Sequence, residues 1–237
     1  MIQRLVNKIM MIYYTSSSNR YIDFLKKKGI KIGKGVTIPN PKNVSIDYSR
    51  PTLLEIGDNV RLNQGLTIMT HDFASMVFVN AFNDFIPSHG KIKIGNNVYF
   101  GRNCTVLKGV EIGNNCIIGY GAVVMKNIPD NSVAVGSPAK VVCTLEEYYE
   151  KRKKTYFSKE CIDYAISILE SKNNINEEDF YDDYPTFVDG NNYKDYNYPY
   201  SRIFSNEQFE HWKKIHKAKY AGFNEFIAEV KKQYGKS

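Results

Sequence analysis

Histidine and tryptophan are sparse in this chain of 237 residues, with four and one copies, and the four cysteines, Cys104, Cys116, Cys143 and Cys161, form no CxxC pair. That spacing excludes a zinc ribbon and gives no disulfide framework, so the thiols are read as reduced. No apolar run approaches the ~20 residues of a membrane span. The apolar stretch from Met1 to Tyr14 is broken by Lys8 and lacks a small-residue cleavage site, which excludes a secretory signal. It reads instead as an amphipathic helix, weakly compatible with a membrane surface, on a chain expected to be cytoplasmic.

Acidic residues are also under-represented in one part. Residues 1–143 carry 17 Lys/Arg against 8 Asp/Glu, whereas residues 144–237 carry 15 against 17, within a total net charge of +7. No basic run is interleaved with aromatics, which argues against nucleic acid and for an anionic small molecule as partner. With 43% hydrophobic and 24% charged residues, the chain is expected to bury one main core with extensions.

What is present is a period of six. From Ile94 an apolar residue returns at Phe100, Val106, Ile112, Ile118 and Val124, and a small or medium apolar residue follows four positions after each of the first five, at Val98, Cys104, Val110, Cys116 and Ala122. Upstream the same register runs through Ile32, Ile38 and Val44, then Ile56, Leu62 and Ile68, with Arg50 as the break. Six matches neither 3.6 nor 2, so it describes stacked coils, with three short strands per coil and the large residue of each pointing inward. Gly-Asn and Gly-Asp-Asn sequences such as Gly95-Asn96-Asn97 supply the tight corners. Ile68 and Ile94 lie out of phase, so a projecting loop is expected at about 70–91, and its polar content, with Asn80, Asn83, Asp84, Pro87 and Gly90, suits solvent. His71 and His89 lie at its two ends.

These motifs, with the runs Ile94-Gly95-Asn96-Asn97-Val98-Tyr99, Ile112 to Val124 and Gly136-Ser137-Pro138-Ala139-Lys140-Val141, resemble the hexapeptide-repeat acyltransferases. Within them the chain is similar to the maltose, galactoside and capsular-polysaccharide O-acetyltransferases, over about Ile30 to Val141. The resemblance implies a mainly β fold, a left-handed parallel β-helix, whose handedness departs from the usual right-handed crossover. It implies acetyl-CoA as acyl donor with no metal required, a homotrimer, and a sugar or surface polysaccharide as acceptor. It also places the catalytic base at His71, in Met69-Thr70-His71-Asp72. An imidazole with an ordinary pKa of about 6.5 can take the proton of a sugar hydroxyl as that oxygen attacks a thioester.

Asn63, Asp72, His89 and Tyr99 are the expected acceptor-side residues. Asp72 could orient an imidazole, although neighbours along an extended chain point apart; His89 is the rival base; and Tyr99 stands where this branch often has Trp. The resemblance places the cofactor against Gly101, Arg102, Gly119, Tyr120, Lys126 and Lys140. The amides of Gly101 and Arg102 would meet the developing oxyanion and the two lysines the phosphates; Arg102 stands where the family often has a small serine, so the alternative is that its side chain meets the phosphates or the acceptor. Cys104 and Cys116 repeat the inward slot and are expected to be inert.

Residues 1–29 are expected to form a helical segment in which Ser18 caps a short helix ended by Gly29; residues 30–141 form the coil domain; residues 142–237 form a helical and loop extension. In the extension the expected helices are Glu146 to Thr155, Ser158 to Ser171, one behind the capping box Ser205-Asn206-Glu207-Gln208, and one from Asn224 to Gly235, with a long loop from Asp182 to Tyr200. His211 and His216 are five apart, off a common helical face, which is no metal pair. Three other functions use similar sequences: N-acylation of a nucleotide-linked amino sugar, a carbonic anhydrase with three histidine ligands on zinc, and a non-catalytic binding scaffold.

Overall fold

The computed structural model describes residues 2–172, 174–180, 182–195 and 204–235. Two compact units divide the chain, Met1–Tyr149 and Glu150–Ser237.

The first unit opens with helices α1 (Ile2–Tyr14) and α2 (Ser18–Lys27). The cap of α2 is Ser17 rather than Ser18: the Ser17 hydroxyl accepts from the Arg20 amide, while Ser18 accepts from the Ile38 amide at 2.8 Å and so ties the helix to the first coil. Gly29 stops the helix at φ +103°, a conformation open to glycine. Tyr21, Ile22, Phe24 and Leu25 are buried, so α2 covers the first end of the coil.

Short strands follow: β1 (Lys31–Ile32), β2 (Ser45–Ile46), β3 (Leu54–Ile56), β4 (Arg61–Leu62) and β5 (Thr67–Ile68). The expected loop then leaves the coil, but it is structured: β6 (His71–Asp72), α3 (Ser75–Phe82) and β7 (Ser88–His89). The apolar run Met76-Val77-Phe78-Val79 in α3 outweighs the polar residues on which the loop expectation rested. The coil resumes with β8 (Ile92–Ile94), β9 (Val98–Phe100), β10 (Thr105–Val106), β11 (Glu111–Ile112), β12 (Cys116–Ile118), β13 (Val123–Val124), β14 (Ser132–Val135) and β15 (Lys140–Thr144).

These strands form three faces that the chain visits in rotation. The first face is β1-β3-β8-β11, the second β4-β9-β12-β14-β15, and the third β2-β5-β10-β13. Every neighbouring pair within the three faces is parallel except β14 with β15. The antiparallel β15 covers the last strand edge of the second face. Partners in the upper coils are eighteen residues apart, as in Ile94 with Ile112, Phe100 with Ile118 and Val106 with Val124. All six of these side chains are at most 1% exposed, which is the stacked interior that the six-residue period requires. Ile32, at the rim of the first coil, is only partly buried.

Asparagine makes the corners between the first and second faces. Asn97 and Asn115 both hold φ 54°, and their side-chain amides form a ladder, Asn97 to Asn115 and Asn115 to Asn131, each bond 2.9 Å. A short side chain that bonds its own kind one coil away compensates a left-handed backbone that other residues resist.

Helix α4 (Leu145–Thr155) begins in the first unit and ends in the second, where a wider turn, Tyr156–Glu160, joins it to α5 (Cys161–Lys172). Helices α6 (Asn206–Ile215) and α7 (Phe223–Tyr234) complete the unit, and the Ser205 capping box is present with Gln208. Phe180, Phe187 and Phe226 form its core, with Phe180 edge-on to Phe226 at 5.1 Å. The segment read as a long loop contains 3-10 turns at Tyr184–Thr186 and Gly190–Asp195; its remainder, 196–200, lies outside the described residues. The His216 ring stacks on Trp212 and its Nε2 lies 2.7 Å from the Pro185 carbonyl.

Candidate active site

The step from Ile68 on the third face to Ile94 on the first takes twenty-six residues instead of six. The extra chain leaves and returns at one place. Gly90 donates its amide to the Thr70 carbonyl at 2.9 Å, and β6 pairs antiparallel with β7, setting His71 opposite His89 and Asp72 opposite Ser88. The root of the insertion is therefore a rigid hairpin on the edge between the third and first faces.

His71 is held there by a residue one coil earlier. Ile46 pairs with Ile68, so Asp47 lies beside the turn that starts the insertion, and its Oδ2 is 2.5 Å from His71 Nδ1. The same oxygen accepts from the Thr70 hydroxyl and from the Thr70 amide at 3.3 Å. Its Oδ1 accepts from the Ser49 amide at 3.0 Å and the Ser49 hydroxyl at 2.7 Å. Burial pushes the Asp47 carboxyl up, but the hydrogen bonds from Thr70, Ser49 and His71 outweigh it and hold the group well below the usual carboxylate range. A carboxylate ionised near neutral pH at Nδ1 favours the tautomer with the proton on Nδ1, which leaves the Nε2 lone pair free. The His71 side chain is 20% exposed, so the ring remains reachable.

Asp72 has other partners. Its Oδ2 accepts from the Lys108 ammonium and from the Ser88 hydroxyl, and its Oδ1 from the Ala74 amide. It fastens the insertion to the next coil and does not bond the His71 ring, as the alternation of an extended chain requires. Phe73 stands edge-on to His71 with ring centroids 5.5 Å apart and is 67% exposed.

The remaining expected residues divide between two edges. Asn63, Gly101, Arg102, Gly119 and Tyr120 lie between the second and third faces, while His71, Asp72, His89 and Lys126 lie between the third and first. Within one chain the third face separates the two groups. Asn63 donates to the Phe100 carbonyl at 2.8 Å and accepts from Arg61. Tyr99 projects from β9 between Arg61 and Ile117 and borders a groove of about 430 Å³. The Gly101 amide is committed to the Ile118 carbonyl at 2.7 Å, which removes it as an oxyanion donor and leaves the Arg102 amide. A Cβ on Gly101 would sit 2.6 Å from the Tyr120 nitrogen, so this glycine permits close stacking of coils. Tyr120 is exposed and its hydroxyl accepts from Asn103 at 2.9 Å; Lys126 and Lys140 are exposed. Burial pushes the Cys104 and Cys116 thiols up, which suits interior residues and not nucleophiles.

Asp47, Thr70, Phe73 and Lys108 escaped the sequence reading. Asp47 was hidden because the six-residue register runs through Val44, whereas the structure seats Ile46, two residues later, opposite Ile68 and so sets Asp47 beside Thr70 and His71.

A three-faced coil of six-residue steps, with an imidazole held by a carboxylate where the largest insertion leaves it, is the architecture of a hexapeptide-repeat protein. The family described as "Bacterial transferase hexapeptide (six repeats)" matches residues 91–126. The protein CapG of Staphylococcus aureus is 39% identical over 133 residues, 54% of this chain and 74% of that protein. The putative acetyltransferase YvoF of Bacillus subtilis (strain 168) is 27% identical over 135 residues, 57% of this chain and 70% of that protein. Among solved structures, a galactoside acetyltransferase in complex with coenzyme A is 26% identical, with 62% of this chain and 82% of that chain covered at a TM-score of 0.44. The chain belongs to the hexapeptide-repeat acyltransferase family, in its acetyltransferase branch.

Proposed function

We propose that this acetyltransferase moves an acetyl group from acetyl-CoA to a hydroxyl of a sugar or surface polysaccharide, or a precursor of one, with His71 as general base. The observation that carries the reading is the Asp47 carboxylate 2.5 Å from His71 Nδ1. His71 Nε2 takes the hydroxyl proton as the oxygen bonds to the acetyl carbon. The Arg102 amide is assigned to the oxygen that becomes negative, and the carbon–sulfur bond then breaks, with the proton passing from His71 to the departing sulfur. Asp47 stays charged throughout and stabilises the imidazolium while it exists.

Family membership supports acetyl-CoA as donor, left-handed winding and a trimer. Lys126 and Lys140 supply point charges for its phosphates. Because the third face parts His71 from Arg102, Gly119 and Tyr120, the reading has each site built by two chains, with the base from one and the donor corner from its neighbour. Asn63, Asp72, His89 and Tyr99 are assigned to the acceptor side, with Asn63 and Asp72 acting through the backbone and the insertion they brace.

The test is an acetyl-transfer screen over free sugars, polysaccharides and nucleotide-linked amino sugars, with His71→Ala alongside. The expected result is transfer to hydroxyls, none to the amino sugars, and a loss of about 10²–10⁴ in rate for the variant. Full activity in His71→Ala would defeat the mechanism, and transfer confined to amines would make the enzyme an N-acyltransferase.

A further inference from the structure

Helix α1 presents an apolar face to solvent. Met11 and Tyr14 pack on the core at the start of the coil, with the Tyr14 ring 4.8 Å from Phe24. At about 100° per residue, the arc opposite them is centred on Ile9 and takes in Val6, Ile12 and Tyr13. Those four are 57%, 44%, 56% and 53% exposed. A helix lying on a protein surface ordinarily carries its polar residues on that arc. Here Lys8 borders the arc on the side of Ile12, and Arg4 lies one turn before it on that same side.

Charge identifies what the arc meets. Helix α1 has no acidic residue, and residues 1–30 carry six Lys/Arg against Asp23 alone. Alongside, Met10, Tyr14 and Tyr48 line a groove of about 420 Å³ that is also walled by Lys27 and Lys28. At thirteen residues the helix is far shorter than the ~20 needed to span a bilayer. An apolar arc with a basic margin on a short helix has the form of an interfacial helix, whose lysine and arginine stems extend toward lipid phosphates. A second copy meeting this face with its own would set Arg4, Lys8, Lys27 and Lys28 against like charge, which disfavours it as the occupant.

We propose that α1 docks this protein on an anionic lipid surface, lying in the interface plane with Val6, Ile9, Ile12 and Tyr13 toward the acyl chains. The inference stands apart from the catalytic reading, since none of these residues belongs to the proposed site. The test is flotation of the full chain with vesicles of phosphatidylcholine alone, or of phosphatidylcholine with a quarter phosphatidylglycerol, at low salt and at about 0.15 M salt. Binding to the anionic vesicles alone, weakened by salt, is expected. The double variant Ile9→Asp/Ile12→Asp should bind about tenfold less with unchanged mass in light scattering and unchanged acetyl transfer to a soluble acceptor. Should that variant misfold, Arg4→Gln/Lys8→Gln decides, with an expected loss of binding at low salt. Absence of flotation on anionic vesicles, or binding by folded variants equal to that of the unaltered chain, overturns the proposal. A fall in mass on substitution also overturns it, by assigning the arc to a contact between subunits.

Discussion

Asp47 is the residue on which the proposed chemistry turns, and it can be separated from a merely structural group. Asp47→Asn keeps the shape but lets the side-chain amide offer a hydrogen to Nδ1, which favours the tautomer with its proton on the wrong nitrogen. The expected outcome is a fall in kcat of about 10²–10⁴ with KM for the donor little changed, read from initial rates. Stability carries a second signature. The folded Asp47 carboxyl titrates below its unfolded value of about 3.9, so its contribution is complete above that value and is lost as pH falls toward the folded one. Urea midpoints of the parent and Asp47→Asn should therefore differ at pH 7 and converge as the pH drops below about 4. A gap that stays constant down to the lowest pH would remove Asp47 as the ionised partner.

At the scale of elements, the coil depends on interior side chains that have no alternative seat. Phe100 is fully buried, and Phe100→Ala should cost about 3–5 kcal/mol in a denaturant titration, because neighbouring coils are hydrogen-bonded in register and cannot close over the cavity. Gly101→Ala should also lower the melting temperature, since its new methyl meets backbone at Tyr120 and not a movable side chain. The coil was legible in the sequence because the six-residue period from Ile94 to Val124 is a direct image of three faces. The insertion was legible as a loss of phase, but not in its content: α3 is too short for a helical period to show, and its residues were weighed by their polar neighbours. Asp47 was illegible for a different reason. It reaches His71 across coils whose spacing is twenty-two residues rather than eighteen, so the periodicity that located the strands misplaced their neighbours. The family resemblance marks the amides of Gly101 and Arg102 alike, and only the hydrogen bond from Gly101 to the Ile118 carbonyl distinguishes them.

For the whole molecule, division of the expected residues between two edges makes a prediction about assembly. Arg102→Pro removes the proposed donor amide, and His71→Ala removes the base. If one chain supplies the base and its neighbour the donor, co-expression of the two inactive variants should restore a fraction of the parent activity in mixed trimers, measured after separation by tag. No recovery would confine each site to a single chain. The same repeating geometry constrains how such a protein can change. In the upper coils core residues return every eighteen positions, so lengthening that part of the stack by one full turn moves everything above it by one rung of about 4.8 Å, whereas seventeen or nineteen added residues would swing the interior outward. The separation along one edge between the imidazole and the lysine at position 126 is thus quantised, and under the proposed reading a longer or shorter donor would be matched only in whole steps of this molecular ruler.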